Sequence, residues 1–88
     1  MANPHFKLAP ELPFVLEKLQ PNADRIRTYA ALLRETGDFR NFETRLAWDC
    51  LRRYVGIGTI TAWYEKHACT DKHITTLGIH VLRKLEVL

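Results

Sequence analysis

The side chains best suited to metal or acid–base chemistry lie around one short turn in the second half of the chain. These are His67, Cys69, His73 and His80. Zinc needs about four nitrogen or sulfur ligands in a tetrahedral arrangement. The spacing matches no common zinc pattern, and Cys50 would have to approach from another helix. We therefore expect no metal, with His67 partly buried in the core and His73 and His80 on exposed flanks.

Catalytic chemistry is also poorly supported by the residue types and their spacing. A cysteine activated by histidine needs a third orienting group and a pocket, and a small helical domain has little volume for one. Asp38, Glu43 and Asp49 lie among arginines at ion-pair spacing. Gly56 and Gly58 form too short a motif for a phosphate-binding loop, and no lysine follows them. We expect a non-catalytic protein without a cofactor.

Positive charge is concentrated in the second half of the chain. The formal net charge is +3, and the isoelectric point is about 9.1. In residues 1–44 the Lys and Arg residues equal the Asp and Glu residues in number, so the whole excess of positive charge lies in residues 45–88. A basic half favours an anionic partner such as a nucleic acid or a nucleoprotein. The predicted contacts are the outward cations and threonines of this half: Arg52, Arg53, Lys72, Thr75, Thr76, Arg83 and Lys84.

The last two predicted helices have the outline of a DNA-binding helix-turn-helix. Thr59–His67 and Asp71–Glu86 are separated by a three-residue turn. In such a motif the second helix enters the major groove, where Lys and Arg contact phosphate and threonine contacts bases or phosphate. The turn lacks glycine, however, and Asp71 would repel phosphate. Consecutive helices of any small helical domain also need a short connection.

A protein partner is the alternative to a nucleic acid. Trp63 and Tyr64 are candidate anchors, because aromatic residues are favoured in protein interfaces. The apolar C-terminal residues Leu85, Val87 and Leu88 would either form a homodimer through the C-terminal helix or close the core. The small, motif-poor chain is typical of a phage or plasmid accessory regulator. The alternative function is an inhibitor or adaptor of a host or defence protein complex, without nucleic-acid contact.

Apolar residues recur with a period near 3.6, which predicts an all-α fold. We expect a small orthogonal bundle of about five short helices. The first predicted helix begins at Leu12 and closes at Pro21, and the second begins after an Asn22 or Asp24 cap and ends before Gly37. The third begins at Asp38 or Asn41 and ends near Val55. The last two span Thr59–His67 and Asp71–Glu86.

Several residues have predicted roles within these helices. Tyr29 is placed on the inward face of the second helix, together with Ile26, Ala30 and Leu33. The third helix carries the most apolar residues, including Phe39, and should be central. The Gly56-Ile57-Gly58 segment should separate it from the fourth. Thr70 should cap the fifth helix, and Gly78 there indicates a close approach to another helix.

Chain length and composition set the remaining limits. The 88 residues suit one domain, 1–88, with residues 1–9 as an extended arm. We find no apolar run long enough to span a bilayer and no signal-peptide pattern, so we expect a cytoplasmic protein without membrane contact. Two cysteines are too few for a disulfide framework.

Overall fold

Helical turns dominate the computed structural model, which describes residues 6–36 and 41–88. They account for 82% of the described residues, and no strand occurs among them. The predicted all-α class is therefore confirmed. In these two segments no helix combines the length and the apolar character that a membrane span requires.

The α-helices differ from the predicted ones mainly in how they are joined. Their bounds are Leu12–Leu19 (α1), Ala23–Glu35 (α2), Phe42–Cys50 (α3), Ile57–Lys66 (α4) and Asp71–Lys84 (α5). Short 3-10 turns at Ala9–Glu11 and Gln20–Asn22 and a π-helical stretch at Leu51–Val55 extend them. The described residues thus form four unbroken helical runs, where the sequence predicts about five separate helices.

Pro21 explains why the first two helices are continuous. It lies in the first turn of the 3-10 segment Gln20–Asn22. A proline there loses no hydrogen bond, because the first amides of a helical turn have no partner within that turn. Pro21 therefore continues the helical run from α1 into α2. The prediction that the first helix ends at Pro21 is wrong.

The core is centred on the packing of α3 against α5. Leu46 of α3 and Leu51, the first residue of the π-helical stretch, are fully buried. Gly78 of α5 lies against Ala47, and a Cβ atom added to Gly78 would be 2.8 Å from the Cβ of Ala47. Both predictions are confirmed, since the third helix is central and Gly78 marks a close helix approach.

The break between the third and fourth helices involves one glycine, not two. Gly56 has a φ of 99°, a conformation that favours glycine, and its amide closes the π-helical stretch on the carbonyl of Leu51 at 2.9 Å. Gly58 lies inside α4, which begins at Ile57. The predicted start at Thr59 is therefore two residues late. The predictions for Gly37, Asp38 and Phe39 lie outside the described residues.

The chain before α1 is folded where it is described, so the prediction of an extended arm over residues 1–9 is wrong there. Leu8 is fully buried, and the amide of Ala9 donates to the carbonyl of Phe6 at 3.0 Å. Lys7 Nζ donates to the Ala68 carbonyl at 3.3 Å. Leu8 therefore adds to the core from a turn. Residues 1–5 lie outside the described part.

Both ends of α5 are fixed by local interactions. The Thr70 side chain caps the helix as predicted, and His73 Nδ1 accepts a hydrogen bond from the Thr70 amide at 3.0 Å. Beyond Lys84 the chain turns through Glu86, whose φ is positive. Leu85 and Val87 are buried in the core of their own chain. These two residues close the core, whereas Leu88 is half-buried, and the homodimer through the C-terminal helix stays a prediction.

Candidate functional site

A cleft of about 740 Å³ opens between α2 and the run formed by α3 and the π-helical stretch. We call it the arginine cleft, because four of its nine lining residues are arginines. Its lining consists of Arg25, Ile26 and Tyr29 from α2, Arg45, Asp49 and Cys50 from α3, and Arg52, Arg53 and Tyr54 from the π-helical stretch.

Helical spacing brings the charged residues of the arginine cleft to one side of the α3 run. Arg45, Asp49 and Arg53 follow one another at four-residue intervals, and Arg52 is three residues after Asp49. Residues three or four positions apart lie on the same face of a helix. α2 completes the opposite wall with Arg25. The cleft therefore depends on the packing of two elements that are separate in sequence.

Asp49 is the only carboxylate among the lining residues of the arginine cleft. It accepts a hydrogen bond from the Tyr29 hydroxyl, which raises the pKa of Tyr29. Arg45 Nε lies 3.7 Å from Asp49 Oδ2, and Arg52 Nη1 lies 3.9 Å from Oδ1. Four guanidinium groups against one carboxylate leave a formal excess of three positive charges, as large as the net charge of the whole chain.

Aromatic rings hold two of these guanidinium groups in place. Arg52 Cζ lies 5.0 Å from the centre of the Trp48 ring, and Arg53 Cζ lies 5.8 Å from that of Tyr54. Such cation–π contacts favour a guanidinium group lying over the face of the ring. Trp48 is itself fixed, because its Nε1 donates to the Thr75 hydroxyl at 2.8 Å. Arg52 and Arg53 thus have favourable positions beside aromatic rings while they remain exposed to solvent.

The contact residues predicted from the sequence are divided between two places. Arg52 and Arg53 line the arginine cleft, whereas none of the five predicted contact residues on α5 does so. Thr75 is half-buried and engaged by Trp48. Arg83 donates to Glu43 of α3 at 3.5 Å, so its charge is partly balanced.

The other predicted contacts on α5 are exposed. The Thr76 hydroxyl donates to the backbone carbonyl of Lys72 at 2.9 Å, and Lys72 itself is exposed. Lys84 borders a smaller depression together with Arg27, Asp24 and Glu86. The positive charge of α5 is therefore spread along the helix and mixed with acidic neighbours.

The two predicted protein-interface anchors have different environments. Trp63 is 2% exposed and belongs to the core, so it offers no surface to a partner in this fold. Tyr64 is half-buried, and its hydroxyl donates a hydrogen bond to Asp71. That hydrogen bond raises the pKa of Tyr64 to about 12. Asp71 is thereby held at the start of α5.

The histidine and cysteine side chains around the α4–α5 turn make separate structural contacts. His67 Nε2 lies 2.7 Å from Glu11 Oε2, and Cys69 Sγ lies 3.3 Å from the Trp63 carbonyl oxygen. His73 belongs to the α5 cap, and the His80 ring packs on Phe6. Within residues 6–36 and 41–88 no three such side chains converge as metal ligands.

Cys50 lies at the buried side of the arginine cleft. Burial raises the pKa of its thiol to about 12, and the nearby Asp49 charge acts in the same direction. A thiol with a raised pKa is a poor nucleophile near neutral pH. Cys50 is therefore an unreactive part of the wall behind the cleft.

Seven of the nine residues that line the arginine cleft are missing from the predicted contacts, among them Arg25, Tyr29 and Arg45. Tyr29 is 36% exposed, so its predicted place on the inward face is wrong. Arg25 and Tyr29 are four residues apart, so both lie on one side of α2, and this spacing could be seen in the sequence. Nothing in that spacing indicates that α3 lies opposite.

Comparisons with models of protein families, with curated proteins and with solved structures found no match to this chain.

Proposed function

We propose that this protein is a non-catalytic binding protein that holds the phosphate backbone of a nucleic acid, alone or within a nucleoprotein, in the arginine cleft. The observation that carries the proposal is the convergence of four arginines from three elements on one cleft with one carboxylate. Planar guanidinium groups bind phosphate oxygens in pairs, which gives them both strength and orientation.

The low opposing charge in the arginine cleft supports an anionic ligand. Asp49 is shared among Tyr29, Arg45 and Arg52, so one formal negative charge faces four positive charges in the cleft lining. Like charges that gather without full compensation repel one another, and an anion that binds among them relieves this repulsion. A phosphate is such an anion.

The helix-turn-helix outline of α4 and α5 has a secondary role in this proposal. Asp71 stands at the start of α5, and Arg83 shares its charge with Glu43. Lys72 and Lys84 supply additional contacts to a strand that leaves the arginine cleft. The proposed binding surface thus keeps Arg52 and Arg53 from the sequence prediction and adds Arg25 and Arg45.

Titration of a labelled mixed-sequence oligonucleotide at two salt concentrations tests the proposal. We expect affinity to fall steeply with salt, because each phosphate contact releases bound counterions. The Arg25→Gln, Arg53→Gln double variant should bind about tenfold or more weakly and flatten the salt slope by about one unit per arginine. Both side chains are exposed, so the melting temperature should change little.

A matched control replaces two cations outside the arginine cleft. The Lys72→Gln, Arg83→Gln double variant removes the same charge from α5 and should weaken binding less. Equal losses in the two double variants would contradict the assignment to the cleft. Failure of the native protein to bind any nucleic acid at low salt would overturn the proposal in favour of an acidic protein surface as the partner.

A further inference from the structure

We propose that the arginine cleft takes a single-stranded segment of nucleic acid, with one base seated in the cleft and its flanking phosphates on the arginines. This inference rests on the proposed function and specifies the ligand that the site selects. It follows from three properties of the described residues: the concave shape of the cleft, the chemistry of its lining, and the side-chain partners on α5.

The shape of the arginine cleft suits one nucleotide better than a duplex. Its volume of about 740 Å³ lies within the range of about 300–1,000 Å³ that is typical of small-ligand pockets. In a duplex the bases are paired and stacked inside, so only the backbone would meet the rim of the cleft. A single strand can turn an unstacked base inward, as proteins that read single-stranded loops require.

The lining of the arginine cleft offers surfaces for a base as well as for phosphate. Ile26 and Cys50 are almost fully buried and form only the wall behind the cleft, so the surface open to a base is aromatic. Tyr29 and Tyr54 add aromatic rings, and the Tyr29 ring is fixed at its hydroxyl by Asp49. A site for phosphate alone needs no aromatic lining. Combining cations with aromatic rings is typical of proteins that bind single strands.

The surface of α5 is poorly arranged to read a duplex. A helix that enters the major groove presents its first residues to bases and phosphates. Here the first residue is Asp71, which the Tyr64 hydroxyl holds in place. Thr75 is engaged by Trp48, and Arg83 by Glu43. The cations of the arginine cleft instead border a concave opening, to which a flexible strand has better access.

The experiment compares one short sequence as single-stranded DNA, single-stranded RNA and blunt duplex by fluorescence anisotropy. We expect at least one single strand to bind about tenfold more tightly than the duplex. Tyr29→Leu should weaken single-strand binding by about five- to thirtyfold without changing the salt slope, because a base contact is lost but no charge. Tyr29→Phe keeps the ring and should keep most of the affinity.

Tyr64→Leu is the matched control, because Tyr64 also donates its hydroxyl to a carboxylate but lies outside the arginine cleft. It should leave the affinity unchanged. An abasic strand should bind the native protein and the Tyr29→Leu variant equally, since it offers phosphates and no bases. Melting temperatures identify any variant that has lost its fold. If Tyr29→Leu does not fold, Tyr29→Phe and the abasic strand still test whether a base contributes to binding in the arginine cleft.

Each result has a separate meaning. Duplex binding as tight as single-strand binding would overturn this inference and leave the proposed function standing. This inference would also be overturned, with the proposed function left standing, if Tyr29→Leu bound the single strand as tightly as Tyr64→Leu does. It would likewise be overturned if Tyr29→Leu lost as much affinity for the abasic strand as for the intact strand. No binding of any of the three nucleic acids at low salt would overturn both proposals.

Discussion

Gly78 of α5 packs so closely on Ala47 of α3 that a methyl group on Gly78 would lie 2.8 Å from the Ala47 Cβ. Neither atom belongs to a side chain that can rotate away, so the two helices would have to separate. We expect Gly78→Ala to lower the free energy of unfolding by about 1–2 kcal/mol, because overpacking outweighs the better helix propensity of alanine. Urea denaturation measures this change.

Gly58→Ala is the control for the effect of helix propensity. Gly58 lies inside α4, and an added Cβ would meet no atom within 4 Å. This variant should gain up to about 1 kcal/mol. A stabilised Gly78→Ala variant would show that α3 and α5 do not approach as closely as described.

Leu51 should be among the largest single contributors to stability. It is fully buried at the junction of α3 and the π-helical stretch, and it also contacts the position of Gly78. Leu51→Ala should cost about 2–5 kcal/mol, as the loss of buried leucines generally does. Leu32→Ala on α2 should change stability by less than about 0.5 kcal/mol, because Leu32 is 55% exposed. Similar losses at the two positions would contradict the described core.

Glu11 should give the fold a measurable sensitivity to acid. Partial burial acts to raise the pKa of its carboxyl group, but hydrogen bonds from His67 and Lys66 outweigh this and hold the pKa below its usual value. The folded state therefore favours the ionised carboxylate. Its contribution to stability is present above the unfolded pKa of about 4.3 and is lost as pH falls through the lower folded pKa.

Glu11→Gln tests this linkage. We expect it to cost about 1 kcal/mol at pH 7, and the difference from the native protein should shrink below about pH 4. Glu17→Gln removes the same charge from an exposed position on α1 and should be nearly neutral at both pH values. If Glu11→Gln loses the same stability at both pH values, the contribution of Glu11 comes from packing against α4 and not from its carboxylate charge.

Tyr64 should ionise at an unusually high pH. Its hydrogen bond to Asp71 raises its pKa to about 12, so the neutral phenol is retained well into the alkaline range. Ultraviolet titration of the native protein should show this late ionisation. Asp71→Asn removes the carboxylate and should return the tyrosine towards its usual pKa of about 10. An unchanged titration curve in that variant would refute the contact.

The sequence by itself determined the helical class and the main apolar faces. The 3.6-residue period places Leu46, Leu51 and Ile74 in the core, and the structure buries all three. It also indicated the cap at Thr70 and the close approach at Gly78. These features depend on local backbone chemistry or on apolar spacing within one helix, so neighbouring residues suffice to predict them.

Only the tertiary structure decided which polar side chains meet. Arg25 and Arg45 line one cleft, Arg83 reaches Glu43, and Glu11 reaches His67, all across pairs of elements distant in sequence. Periodicity states which face of a helix is apolar, but it carries no information on which other helix lies opposite its polar edge. That depends on how the buried faces pack, and here the packing of α2 beside α3 places Arg25 opposite the arginines of the α3 run in one cleft.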